Sequence, residues 1–303
     1  MNIPKIKLNN GVEIPCIGNG PAAVGYSPKA KTYSTNIIAR LFRRFITEPK
    51  KKRDYVNAVS HSFLIGFTLL DYSSSYGDGK LIGKAIKKSC IKREELFITT
   101  RISNQAQKEG KTRECLMNQL KGMGLEYVDM LMFHWPVTGH YLNTWKEMVQ
   151  LYKEGYCRCL GVANCHKHHL EALMQVADIV PAINQFEVHP LFTQKELINY
   201  CWSKGIQVEA YTAIARFDDR LMRLPLLMKI AKKYNKTVVQ VILRWHVQTG
   251  TIPLVRSLNK VRQKENIDIF DFELIPEEIK AIDGININSR LRYDPDNCDF
   301  SIL

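Results

Sequence analysis

The chain has 303 residues, 45% hydrophobic and 24% charged, an ordinary globular composition that excludes disordered, collagen-like and coiled-coil classes. Its net charge of +13 is uneven, because residues 29–53 carry nine basic side chains against one acid, Glu48. Basicity confined to one segment argues against a nucleic-acid-binding surface. The longest apolar stretch, residues 63–70, is too short to span a bilayer. The opening MNIPKIKLNNG lacks the apolar core of a signal peptide. Eight cysteines in a chain of this length do not form a disulfide-dense scaffold. The expectation is a cytoplasmic protein with reduced thiols.

Residues 5–14 alternate around Asn9-Asn10-Gly11 and predict a β-hairpin plugging one end of the fold. A short apolar run at 16–19 follows, and then an extended basic insertion at about 22–52. Within it Ile37, Ile38, Leu41, Phe42, Phe45 and Ile46 share one helical face, with Arg40, Arg43 and Arg44 opposite, ahead of the basic cluster 50–53. The readings of this segment, in descending order of weight, are a helix packed on the fold with a solvated basic face, a lid over a substrate pocket, and protein or membrane contact through 29–53.

Further β-like runs lie at 68–71, 96–100, 128–133, 157–162, 182–188, 206–211 and 251–255. Most are apolar throughout rather than alternating, as parallel strands buried on both faces are. Between them, residues 141–154 carry Leu142, Trp145, Met148, Leu151 and Tyr152 at helical spacing. Thr193-Gln194-Lys195-Glu196 reads as a capping box ahead of Leu197 and Ile198, and Gly155, Gly205 and Gly250 read as helix stops. Strand alternating with helix predicts a parallel sheet in an α/β protein. Eight such units close into a (β/α)8 TIM barrel, one domain over residues 1–303. The competing architecture is an open doubly wound sheet, which for a nucleotide enzyme needs a glycine-rich phosphate turn. No GxGxxG or GxxxxGK[ST] motif occurs.

In a barrel the chemistry sits at the C-terminal strand ends. Counting 16–19 as the first run, the second ends in Asp71 and continues YSSSYG; the third ends in Thr99-Thr100-Arg101. The fourth leads into His134-Trp135-Pro136, and the fifth into Asn164. The sixth contains Asn184-Gln185 and leads to His189, and the seventh ends in Glu209-Ala210-Tyr211. The eighth leads into Arg256-Ser257, then Arg262 and Asn266. Together with LNNGVEIPCIGNG, GFTLLDYSSSYGDGKLIGKAI, DMLMFHWP, PAINQFEVHP, ENIDIFDFEL and DPDNCDF, in that order, this set closely resembles the aldo-keto reductase superfamily over nearly the whole chain.

The resemblance implies an NADP(H)-dependent oxidoreductase that reduces an aldehyde or ketone, a small-molecule carbonyl, to an alcohol. By resemblance Tyr76 is the proton donor, Asp71 the supporting carboxylate and His134 the residue that orients the carbonyl. Arg101 stands where the family has lysine; it keeps the charge with different geometry. Asn164 and Gln185 would hold the carboxamide and Tyr211 would stack on the nicotinamide. Arg256, Ser257, Arg262 and Asn266 would surround a 2′-phosphate, which favours NADPH over NADH. Tyr72 and Trp135 would line the substrate pocket. Arg101, with Ala163 for the usual serine and Pro21 after Gly20, supports the alternative of a nicotinamide-nucleotide-binding protein with weak or no reductase activity, acting as a sensor or partner-binding protein. His166, His168 and His169 have no acid set at a convincing spacing, so they read as exposed, with no metal expected. Cys157 and Cys159 read as core, and His189 as structural.

Overall fold

The apolar runs lie side by side because every strand meets side chains on both faces. In the computed structural model, which describes residues 3–20 and 48–300 (Glu48 and Tyr76 through their backbone only), the hairpin is β1 Lys5–Lys7 and β2 Glu13–Pro15. The barrel strands are β3 Gly18–Asn19, β4 Leu69–Asp71, β5 Phe97–Ile102, β6 Val128–Phe133, β7 Cys157–Ala163, β8 Ile183–Glu187, β9 Gln207–Tyr211 and β10 Ile252–Val255. They close in chain order, with β10 returning to β3. The pairings are parallel throughout, so all C-terminal strand ends share one face. This is the eight-stranded barrel expected from the sequence, and the open sheet is excluded.

The shortest strand is held by the absence of a side chain. A Cβ on Gly18 would lie 2.5 Å from Leu254 and 2.7 Å from Leu69, so glycine lets both leucines fill the barrel. Leu69, Phe97, Met130, Met132, Cys159, Ile183, Ile252 and Leu254 pack there against Leu8 and Ile14 of the hairpin. The hairpin is therefore a plug, as expected. Gly11 turns it with φ 85°, and Asn9 and Asn10 donate to the carbonyls of Pro181 (3.1 Å) and Arg158 (3.0 Å) at the N-terminal end of the barrel. The opposite end is left open for chemistry.

Outer helices bury one stripe each. Tyr141–Lys153 buries Thr144, Trp145, Met148 and Leu151 and is followed by Gly155 at φ 86°. Residues 22–47 of the expected insertion, including the amphipathic stretch 37–46, lie outside the described residues. Residues 48–52 belong instead to the helix Glu48–Leu64, the first outer helix of the barrel. Its opening turns expose the 50–53 cluster, while Tyr55, Val59 and Phe63 are buried. The capping box expected at 193–196 does not form. The helix Lys195–Ser203 starts from Gln194 in the left-handed region, φ 46°, with no side-chain cap. Tertiary partners take these groups instead: Gln194 Nε2 donates to the Glu187 carbonyl at 2.5 Å and the Thr193 N–H to Asn286 Oδ1 at 3.2 Å. All eight cysteines are unpaired. Among the described residues no helix is long and apolar enough to cross a membrane.

Candidate active site

Asp71 is the last residue of β4, and Arg101 lies within β5 beside it. Both are buried, Arg101 completely. A guanidinium withdrawn from water needs a carboxylate, and Arg101 Nη2 reaches Asp71 Oδ1 at 2.5 Å. The same nitrogen donates to Gln185 Oε1 of β8 at 2.6 Å. Gln185 in turn donates through Nε2 to Glu209 Oε2 of β9 at 2.8 Å. One chain of polar contacts thus crosses the barrel interior from β4 to β9. Glu209 is fully buried; burial and the charge of Asp71 push its pKa up to about 8, against the pull of the Gln185 hydrogen bond and Arg101. The physical logic is charge balance: one cation is neutralised by one anion, and the second carboxyl keeps its proton.

The neighbouring strand ends complete the mouth. His134 follows β6, its N–H bonded to the Ile102 carbonyl at 3.1 Å. Burial, with the positive charges of Arg101 and Arg292, brings its pKa down to about 3, so its ring is neutral. Asn164 follows β7 in the left-handed region, φ 60°, a conformation asparagine tolerates. It donates to the His134 carbonyl at 3.0 Å and accepts from the Tyr211 hydroxyl at 2.7 Å. Trp135 is buried, with its ring 6.4 Å from Phe300 of the C-terminal tail. Tyr76 ends a short 3-10 turn, Ser74–Tyr76, directly after β4. Tyr72 is buried in the main core and donates to the Gly77 carbonyl at 2.9 Å, so it packs and pins that turn. Its surroundings are those of a core residue rather than of a pocket wall.

The expected phosphate group gathers after β10. Arg256 and Arg262 are exposed, Ser257 is half-buried and Asn266 is buried. Asn259 caps the helix Lys260–Ile267 by accepting from the Val261 and Arg262 N–H groups. Arg216, which the sequence reading did not single out, joins from the loop after β9. Partial desolvation and its like charge lower the pKa of Arg256, and Phe217 beside it faces the Arg262 guanidinium at 5.8 Å. This loop is strained: Thr212, Ala215, Arg216 and Phe217 all have φ between 47° and 61°. Non-glycine residues hold such angles at a cost, and such strain concentrates at ligand clamps.

Glu209 also went unassigned in the sequence reading. A signal existed, since a glutamate two residues before Tyr211 faces the same side of its strand. The C-terminal tail matches the family through DPDNCDF, but what anchors it is not visible in the sequence. It is tied down by buried Glu187, which accepts from the N–H groups of Leu291 at 2.7 Å and Arg292 at 2.9 Å. His189 Nε2 lies 2.9 Å from the same carboxylate, which is a structural role, as read from the sequence. The exposed reading of the histidine triplet holds for His168 alone; His166 is half-buried and His169 buried. Cys165 is buried, and burial holds its thiol well above its usual range.

The barrel and its ordered mouth define the aldo/keto reductase family, whose model matches residues 40–287; the chain belongs to that family. Among its relatives, an uncharacterized oxidoreductase, YtbE, of Bacillus subtilis is 38% identical over 98% of both chains. The glyoxal reductase of the same organism is 36% identical over 97% of both. The methylglyoxal reductase DkgA of Escherichia coli is 35% identical over 80% of this chain and 88% of its own length. An aldo-keto reductase of Bombyx mori, solved in complex with NADP, superposes with a TM-score of 0.82 at 31% identity, covering 98% of this chain and 97% of that one.

Proposed function

We propose that this protein reduces small aldehydes and ketones, reactive dicarbonyls foremost, to alcohols with NADPH in the cytoplasm. The observation that carries this reading is the buried Asp71–Arg101 pair at the C-terminal end of the barrel, beside a neutral His134. The residues fit the cofactor: Arg216, Arg256 and Arg262 offer exposed guanidinium groups on the segments after β9 and β10, and a 2′-phosphate has the geometry suited to them. Eight unpaired cysteines fit a reducing compartment. The relatives named for glyoxal and methylglyoxal reduction support the dicarbonyl class.

Bound NADPH supplies the hydride for the carbonyl carbon. His134, neutral, donates an N–H to the carbonyl oxygen and orients it. Arg101, standing where the family has lysine, would supply the positive charge that makes Tyr76 a better acid. Asp71 holds the guanidinium in place. Tyr76 then gives its proton to the developing alkoxide, a step worth about 10²–10⁴-fold in rate. Trp135 and Phe300 give the mouth aromatic walls that exclude water from the reacting carbonyl.

One observation favours the second reading, a nucleotide-binding protein with little turnover. Both ends of the Gln185 amide are engaged, by Arg101 and by Glu209. A residue held this way has to leave a charged partner before it can serve a carboxamide. NADPH oxidation with methylglyoxal separates the readings. The reductase reading expects turnover that Tyr76→Phe lowers by about 10²–10⁴-fold. Silence in the native protein with turnover in Arg101→Lys would move the assignment to the second.

A further inference from the structure

The histidine triplet gains in three dimensions the acids it lacks in sequence. His166 stands at the start of the helix Lys167–Val176, and the tail brings Asp294 and Asp296 across to it. His166 Nδ1 lies 2.7 Å from Asp296 Oδ2. One ligand atom from each of His166, Asp294 and Asp296 falls within 4.8 Å of the others. Ligands bonded at about 2.0–2.2 Å around a tetrahedral ion stand about 3.3–3.6 Å apart, so the 2.7 Å His166–Asp296 contact would open to admit an ion, with every separation in the trio already within 4.8 Å. The two carboxylates carry the charge that a divalent cation cancels, in competition with Arg290, whose Nη2 stands 3.6 Å from Asp294 Oδ2.

We propose that His166, Asp294 and Asp296 form a site for a divalent transition-metal ion of the zinc class, completed by water on the solvent side. Imidazole with carboxylate selects zinc, nickel or copper over magnesium and calcium, which prefer oxygen alone. His168 and His169 make a second trio with Asp296, ligand atoms again within 4.8 Å of one another, and here they take supporting roles. His168 Nε2 is 3.2 Å from Asp296 Oδ1, the carboxylate oxygen turned away from His166, and there it orients the ligand as outer-shell partners do. His169 Nδ1 accepts the His166 backbone N–H at 3.1 Å, which leaves the proton of a neutral ring on Nε2 and fixes the residue carrying the ligand. The ion staples the tail to the barrel between the Glu187 anchor at 291–292 and Phe300, which faces Trp135. Zinc would therefore set how firmly the tail closes over the mouth.

The test is titration of the chelator-treated full chain with Zn²⁺ by calorimetry at neutral pH, a readout that needs no catalytic turnover. One ion per chain is expected. His166→Ala and Asp296→Asn should each weaken binding by at least about 100-fold and His168→Ala by about 10–100-fold, the range measured for outer-shell partners. Cys90→Ser, which removes the exposed thiol, should leave binding unchanged. No stoichiometric uptake by the native chain, or equal uptake by His166→Ala and Asp296→Asn, would overturn the site and leave these contacts as ion pairs that hold the tail.

Discussion

Glu209 joins the site's chemistry to the stability of the barrel. Its Oε2 accepts from Gln185, while Oε1 is buried with no hydrogen-bond partner among the described residues. A carboxyl in that position is easier to keep protonated than to ionise, and its pKa lies at about 8. The unfolded chain returns it to about 4.3. Between those values the native state holds a proton that the unfolded state has released, so this residue's contribution falls as pH rises through the window. Glu209→Gln keeps the shape and the acceptor and removes the titration. The unfolding free energy of the variant, measured in urea, should gain on that of the native chain by about 2–3 kcal/mol between pH 5 and pH 7. A difference that stays constant across that range would show Glu209 ionised in the native protein.

Elements were the most legible part of the sequence, for a physical reason. A strand buried on both faces is largely apolar, and the seven runs from 68–71 to 251–255 were recognisable on that ground, within a residue or two at most ends, whereas 16–19 was weak alone and was counted to complete the eight. What joins the strands was less visible. Asp129 of β6 is fully buried, and its carboxylate accepts from the Ile98 N–H at 2.9 Å and pairs with Arg93 at 2.7 Å and Arg158 at 2.8 Å. Those partners lie before and along β5 and on β7, and no local pattern links them. The lost capping box at 193–196 has the same cause, since Glu187 and Asn286 supply partners from a distance. Asp129→Ala would leave a buried N–H without its acceptor and the largely buried Arg93 guanidinium without its counter-charge, though still bonded to the Leu96 and Tyr127 carbonyls, and should cost about 3 kcal/mol in urea unfolding. Because the pair sits toward the hairpin end, kcat/KM should stay at the native value. A loss of activity without loss of stability would contradict this separation.

Across the whole molecule, the site was legible where chemistry falls at strand ends and illegible where the chain returns from afar. Asp71, Arg101 and His134 stood out at strand ends and took their proposed roles from the family resemblance; Arg216 and Arg292 come near the mouth through long-range placement. The same long-range packing sets the response to acid. His246 is fully buried, its ring bonded to the Ala213 carbonyl at 3.0 Å and Thr251 Oγ1 at 2.8 Å, and burial brings its pKa down to about 3. His134 is likewise held near 3, and burial brings His169 down to about 4. Unfolding returns all three to about 6.5, so below that pH the unfolded chain binds three protons that the native one refuses. Stability is then lost as pH falls, by about 2 kcal/mol for each histidine at pH 5. Glu209 works in the opposite direction and gives back about 2–3 kcal/mol over the same interval. The native chain should therefore lose about 3 kcal/mol between pH 7 and pH 5, whereas Glu209→Gln, stripped of the compensating carboxyl, should lose about 5–6 kcal/mol. Urea unfolding of both proteins at the two pH values decides it: a variant no more acid-sensitive than the native chain would mean that the buried histidines and the buried glutamate do not oppose one another as their surroundings require.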